Sequence, residues 1–342
     1  MHLLNRPLEY LWVLVAVTLI VCSCREDDIL LKEEAPVASV DSSIVKLNML
    51  QDEWIYSVMR KNYLWADDLK DSLEYDFTLA PDKFFESMIV PHDRFSYCYL
   101  NTDYYGPTKG SELNATISLD TVYVVNGRRI GYLYYTEFEK EADVTDAVLK
   151  IRPVDELIID LRRNPGGSVQ TCIYFASVIA PHSVEGEEFC SYRFNSSIAA
   201  ENMINTGDEC TYSYFMSGNL IRNRSLNLSR VFFLTGKNSA SCSELIINCL
   251  RPYMQVITIG ETTRGKDVGM RVQKNDHCKY VLVPITFRTY NVEGIPVPES
   301  GIVPDIPVED TNPSKIGEIE EPLLKAALQI IKNNKHISHE NA

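Results

Sequence analysis

The sequence is short of positive charge: 33 lysines and arginines stand against 47 aspartates and glutamates, a formal net charge of -14. Binding to a phosphate backbone needs a basic surface, so nucleic acid is excluded as a default partner. Cysteines occur, nine of them, but never at CxxC spacing. Seven follow Cys24 (Cys98, Cys172, Cys190, Cys210, Cys242, Cys249 and Cys278), an odd number that reads neither as a disulfide framework nor as a zinc site. They are expected to be small buried hydrophobes. The chain also lacks H-E-x-x-H, G-x-S-x-G and a P-loop, which removes the usual signatures of zinc peptidases, α/β-hydrolases and nucleotide hydrolases. Its six histidines (His2, His92, His182, His277, His336 and His339) have no motif around them and read as surface or structural residues. No internal repeat or low-complexity tract is present. One S-x-x-K match, Ser43 to Lys46, has no S-D-N or K-T-G triplet after it and is set aside.

The longest apolar run near the start, Leu11 to Val21, has the length of a secretory h-region and is short for a bilayer span. It ends in Val21-Cys22-Ser23-Cys24, which resembles a bacterial lipobox cut before Cys24. Cys24 is thus the candidate lipidation site, and acyl chains there would tether the protein to a membrane. Arg25-Glu26-Asp27-Asp28 follows, similar to the acidic tag of some surface lipoproteins of the Bacteroidetes type. The expected address is an exported outer-membrane lipoprotein, periplasmic or at the cell surface.

With 45% hydrophobic residues over 342 positions, the chain can bury a substantial core. Residues 25–43 are polar and read as a tether. Leu47, Leu50, Trp54 and Val58 recur three to four apart, the period of an amphipathic helix, and a second helical piece follows Pro81. From Ala115 the texture turns β-branched and aromatic. Strands are expected over 115–125, 129–138, 156–162, 231–234, 255–259 and 280–290, with helices over 143–150, 169–179, 241–250 and 316–331. Segment 183–228 has no readable period. Strands alternating with helices imply βαβ units and a mostly parallel layer covered by helices, an α/β fold.

Two loops and one lysine carry the chemistry. Asn164-Pro165-Gly166-Gly167 ends a buried strand, and its glycines can turn tightly and offer bare N–H groups to an oxyanion. By itself such a loop reads first as a plain strand-to-helix turn. Ser239-Ala240-Ser241-Cys242-Ser243-Glu244 opens a helix after another buried strand. Its serines fit an N-cap with Glu244 as capping-box partner, yet a hydroxyl there also feels the positive helix end. Lys266 returns on a glycine-lined loop. To act as a base it must be neutral, which takes roughly 4 to 5 kcal/mol of desolvation and positive neighbours. Arg264 would help such a shift and Asp267 would oppose it.

Taken together these segments resemble the C-terminal processing (tail-specific) proteases. Asp160-Leu161-Arg162-Arg163-Asn164-Pro165-Gly166-Gly167 is similar to their "DLRxNPGG", Ser239 to Glu244 to "SASASE", and Gly260 to Lys266 to "GExTxGK". Asp93 to Tyr97, Ile130 to Leu133 and Gly301 to Asp305 continue the match in order, so the resemblance spans about residues 50 to 332. It implies a crotonase-like ββα superhelix with an N-terminal helical cap domain. The organisation it suggests is a lipoprotein signal peptide over 1–23, a tether over 24–43 and a helical domain over 44–97. A short β linker over 98–128 and a catalytic domain over 129–335 follow.

The resemblance further implies a serine endopeptidase that needs neither metal nor cofactor. Ser241 would be the nucleophile, Lys266 its base and Glu244 the residue that orients the pair; Cys242 with Gly166 or Gly167 would form the oxyanion hole. A protein or peptide is the implied substrate, and the oligomeric state is open. Members usually carry a peptide-capturing PDZ domain between the segments matching 93–97 and 130–133. Here about thirty residues separate them, too few for a domain. Cys242 replaces an alanine, Met270 stands where some members have a glutamine that orients the lysine, and Pro252 where others have an aspartate. Two other readings stay open on sequence alone: a non-catalytic relative that binds peptides or cell-wall fragments, and a surface nutrient-binding lipoprotein.

Overall fold

The computed structural model describes residues 42–101, 116–312 and 315–333. Cys24 and the signal and tether segments expected around it lie outside the described residues.

A six-stranded sheet organises the fold. Its strands are β2 (Ile117–Val125), β3 (Arg128–Tyr135), β4 (Glu156–Asp160), β7 (Arg230–Thr235), β8 (Gln255–Gly260) and β12 (Ile306–Pro307), in the order β12-β8-β7-β4-β3-β2. All neighbours are parallel except β2, which forms an antiparallel hairpin with β3. The 98–128 stretch is therefore more than a linker, because β2 is the last strand of the central sheet. Every residue of β4 and of β7 is buried, which is why they read as unbroken apolar runs.

Side chains alternate between the two faces of these strands. Leu157, Ile159, Val231, Phe233 and Val256 face a core built with α3 (Glu141–Ile151), α4 (Val169–Ile179) and α7 (Cys242–Leu250). Ile158, Phe232, Leu234, Ile257 and Ile259 face α8 (Pro322–Lys332). The closing helix is shorter than its apolar pattern suggests. Glu321 caps it by accepting the Leu323 and Leu324 N–H groups, and Pro322 occupies the first turn, so residues 316–321 stay outside.

The expected long strand over 280–290 is in fact two. Pro284, which has no N–H for a ladder, separates β10 (Tyr280–Val283) from β11 (Ile285–Tyr290). β10 pairs with β1 (Tyr97–Leu100), and β11 joins β9 (Val268–Met270), β5 (Glu188–Arg193) and β6 (Thr211–Tyr214) in a four-stranded sheet of order β6-β5-β11-β9. The unreadable segment supplies β5 (Glu188–Arg193), α5 (Ser196–Thr206), β6 (Thr211–Tyr214) and the short α6 (Asn219–Arg222). Helix α5 buries none of its residues, so no apolar period could betray it. Helices α1 (Ser42–Asn62) and α2 (Pro81–Ser87) form the cap, packed through Ile55, Met59, Phe84 and Phe85 on Val268, Leu282 and Ile285.

Candidate active site

The three chemical loops meet because of strand register. Asp160 on β4 lies opposite Leu234 on β7, which lies opposite Ile259 on β8. The chain thus leaves three adjacent parallel strands at one level, the place where open α/β sheets build sites. The loop after β4 carries Gly166 and Gly167, that after β7 carries Ser241, and that after β8 carries Lys266.

Ser241 has φ +53° and ψ −115°, a conformation a non-glycine residue holds only when its surroundings enforce it. The enforcement is visible on both sides. Ala240 N–H donates to the Asn164 carbonyl (3.1 Å), and Arg264 N–H to the Ser239 carbonyl (2.9 Å). Ser241 N–H donates to Glu244 Oε2 (3.0 Å), while the Ser241 carbonyl accepts the N–H of Glu244 and Leu245. Ser239 and Ser243 are fully buried and structural. Ser239 Oγ donates to the Leu161 carbonyl (2.7 Å), and Ser243 Oγ to the Asn164 carbonyl (2.9 Å).

Glu244 is fully buried and collects four donors. Oε1 accepts from the Thr263 hydroxyl and Gly265 N–H, and Oε2 from Ser241 N–H (3.0 Å) and Lys266 N–H (2.8 Å). One oxygen therefore holds the main chains of Ser241 and Lys266 no more than about 6 Å apart. The first turn of α7 contributes its positive end to the same carboxylate. Glu244 acts on both main chains; the Lys266 amine itself is contacted by other groups.

That amine lies 5.3 Å from the centroid of the Phe95 ring and 4.0 Å from Met270 Sδ. Burial lowers the Lys266 pKa from its ordinary value, against the opposing pull of Cys242 and Glu244. The expected charge neighbours are placed otherwise than the sequence suggested. Arg264 is exposed and engages Ser239 through its main chain, and Asp267 is paired with Arg288 (2.7 Å).

Gly166 has φ +113° and Gly167 φ +137°, both closed to ordinary side chains. A Cβ on Gly166 would stand 2.8 Å from Ser241 Cβ and 3.0 Å from Cys242 N, so the glycine loop lies directly against the serine turn. Gly166 N–H is spent on Asn164 Oδ1 (2.8 Å). Of the two glycine candidates, Gly167 is left with its amide free: the Phe138 bridge uses the Gly166 carbonyl and the Ser168 N–H. Cys242 N–H, at the first helical position, has no intrahelical acceptor. Among the described residues neither amide is donated to a protein acceptor. Cys242 Sγ donates to the Gly167 carbonyl (3.1 Å), and Cys172 Sγ to the Cys242 carbonyl (3.5 Å), packing the helix start onto the glycine loop.

Arg162 fixes the frame behind this loop. It is buried between Asp160 (2.8 Å) and Glu321 (2.7 Å), with Asp310 at 3.2 Å, and so ties the end of β4 to the cap of α8. Asn164, Thr263 and Phe95 are residues to which sequence reasoning gave no role, whereas Met270 it placed where some relatives carry a lysine-orienting glutamine. All three stand inside the matched segments, but Phe95 reaches the site from 171 positions before Lys266, and no local pattern announces that contact. Among the described residues no group of three or more His, Cys, Asp or Glu side chains is placed to hold a metal ion.

Comparison with known proteins follows the same outline. The family model for peptidase family S41 matches residues 129–308, and that for the peptidase S41 N-terminal domain matches residues 51–97. The chain is 27% identical over 234 residues to the carboxy-terminal processing protease CtpB of Bacillus subtilis (strain 168), covering 66% of this chain and 44% of that one. It is 26% identical over 224 residues to a carboxyl-terminal-processing protease of Synechocystis sp., covering 63% and 47%. The chain thus spans about half the length of these two relatives. In fold it is similar to the crystal structure of a candidate S41 protease from Bacteroides fragilis NCTC 9343, with TM-score 0.69 at 20% identity over 83% of this chain and 98% of that one. A lipoprotein from Streptococcus agalactiae shares the architecture less closely, with TM-score 0.56 at 12% identity over 84% and 97%.

Proposed function

Because the chain belongs to peptidase family S41, we propose that it is a serine endopeptidase of the C-terminal processing type in which Ser241 and Lys266 form the catalytic pair. One observation carries the reading: the main chains of both residues are held by a single buried carboxylate oxygen of Glu244, beside a glycine loop with a free amide. In this mechanism neutral Lys266 Nζ takes the Ser241 proton as Oγ attacks the scissile carbonyl carbon. The tetrahedral oxyanion sits on the N–H groups of Cys242 and Gly167. A donor of this kind is typically worth about 2.7–4 kcal/mol of barrier. The lysine then returns its proton to the leaving amine, leaving an acyl group on Ser241. A water molecule deprotonated by the same amine hydrolyses that ester and restores the enzyme. Glu244 is a positioning residue here, because it sets the backbones and leaves proton transfer to the lysine.

The substrates in this reading are exported or cell-envelope proteins, and the enzyme is anchored through acylated Cys24; the signal-peptide and lipobox pattern supports that address. The test is digestion of an unstructured protein by chains lacking residues 1–24, comparing wild type with Ser241→Ala and Lys266→Ala. Cleavage by wild type alone supports the assignment, and cleavage surviving in both variants overturns it.

A further inference from the structure

We propose that the helical cap is part of the base: Phe95, on the strap that joins α2 to β1, positions the Lys266 amine and shields it from water. The inference rests on the Ser–Lys reading above and extends it to a residue outside the catalytic domain. The Lys266 amine has an aromatic ring on one side and a thioether on the other, at 5.3 Å and 4.0 Å. Among the described residues it makes no ion pair. Sulfur is a weak acceptor, so Met270 holds the amine without stabilising its charge as an amide oxygen would. Both walls therefore favour the neutral amine by excluding water.

The strap that brings Phe95 is fastened at each end. Asp93 accepts the Tyr63 hydroxyl of the cap (2.7 Å) and the N–H groups of Phe95 and Ser96 (2.9 Å each). Ser96 Oγ accepts Ile285 N–H from β11 (2.8 Å). Between them, Arg94 stacks on the Phe95 ring (4.8 Å) and donates to the carbonyls of Gly265 and Glu299. The residue next to the lysine is thus clipped to the cap. Docking of the cap and dryness of the base become one event, and loosening the cap would switch the base off by letting water reach it.

The charges around the amine do not compensate for a lost ring. Cys242 and Glu244 on α7 pull its pKa upward, Arg94 on the strap spends its guanidinium on the Gly265 and Glu299 carbonyls, and Asp267 is occupied by Arg288 of β11. The ring itself has two opposed effects. It attracts an ammonium through its π face and it removes water; in this proposal exclusion of water prevails, the direction in which burial already moves this amine.

Two readouts test this on Phe95→Ala and Phe95→Leu in the full catalytic chain. One is the pH profile of kcat/KM on an unstructured protein, and the other is competitive acetylation of Lys266 by acetic anhydride across pH, read by mass spectrometry. In Phe95→Ala both midpoints are expected to move to higher pH by roughly one unit, a tenfold shift in the protonation equilibrium, with activity recovering at high pH. Phe95→Leu, apolar without a π face, is expected to stay near wild type. Should the alanine variant not fold, Phe95→Gln takes its place with the same expected shift. An unmoved labelling midpoint in Phe95→Ala, or an equal upward shift in Phe95→Leu, overturns the proposal. Absence of hydrolysis by wild type would overturn the peptidase reading instead, and the labelling would still judge the contact.

Discussion

Replacing Glu244 with glutamine separates positioning from proton transfer. The carboxylate serves two pairs of donors, one pair on each oxygen. An amide has one oxygen and one NH₂, so one pair must face a donor. The less costly orientation puts NH₂ at the Oε1 side, where the Thr263 hydroxyl can rotate and accept; its oxygen already accepts only Ile302 N–H (2.7 Å) and has a second lone pair. Gly265 N–H is then left buried without an acceptor, and the remaining bonds lose their charge assistance. Hydrogen bonds to charged groups contribute about 1.5–3 kcal/mol each, so Glu244→Gln should destabilise the fold by about 2–5 kcal/mol. For a chain of this size that lowers Tm by about 5–15 °C. The Oε2 side keeps its acceptor for Ser241 and Lys266, so catalysis should fall far less than in Ser241→Ala. Differential scanning calorimetry and hydrolysis on the same preparations give both numbers. A variant melting within about 2 °C of wild type, or one as inactive as Ser241→Ala while equally stable, would refute the clamp.

Three further outcomes follow. Gly166→Ala puts a methyl 2.8 Å from Ser241 Cβ; displacement of the nucleophile by a fraction of an ångström should cut kcat/KM by roughly 10²-fold, read in the same hydrolysis assay. Arg162→Met leaves Asp160 and Glu321 buried without their cation and should cost about 3–5 kcal/mol in denaturant unfolding. Asp52, fully buried in α1 with both oxygens unpartnered among the described residues, has its pKa raised to about 7 by burial and by Asp76 and Asp82. Its folded-state pKa lies above the unfolded one, so the stability it allows is present below about pH 4 and is lost as pH rises through 7. Asp52→Asn should therefore melt close to wild type at pH 4 and above it at pH 8.

The sheet and its site were legible for identifiable reasons. β4 and β7 are covered on both faces, so their apolar runs stand out, and each ends at a loop whose glycines or serines the proposed chemistry uses. Helix α8 shows its stripe, although the pattern overran its start because Ile316 and Ile319 occupy the turns before Glu321. Helix α5 was unreadable because it packs no side chain into a core; Asn195 tethers its start to the Lys61 and Tyr63 carbonyls instead. The 280–290 segment kept its strand period straight through Pro284, and only pairing reveals that two sheets divide it. At the site, residue types pointed to Ser241, Lys266 and Glu244, but not to what each oxygen accepts. The choice between Gly166 and Gly167 depended on an Asn164 side-chain bond that sequence does not encode locally. The apolar surroundings of Lys266 come from Phe95, distant in the chain, and from Met270, which the resemblance marked only as a departure from a glutamine.

The central claim is that a lysine kept dry by burial serves Ser241 as its base, and the dependence of kcat/KM on pH tests it most directly. Wild type should show one deprotonation raising the rate, with its midpoint below 10.5, the ordinary value for lysine. Lys266→Met should lose that step together with nearly all activity, as should Ser241→Ala. A wild-type profile whose midpoint sits at the ordinary lysine value, or a Lys266→Met chain that still hydrolyses peptide bonds with the same profile, would contradict the account.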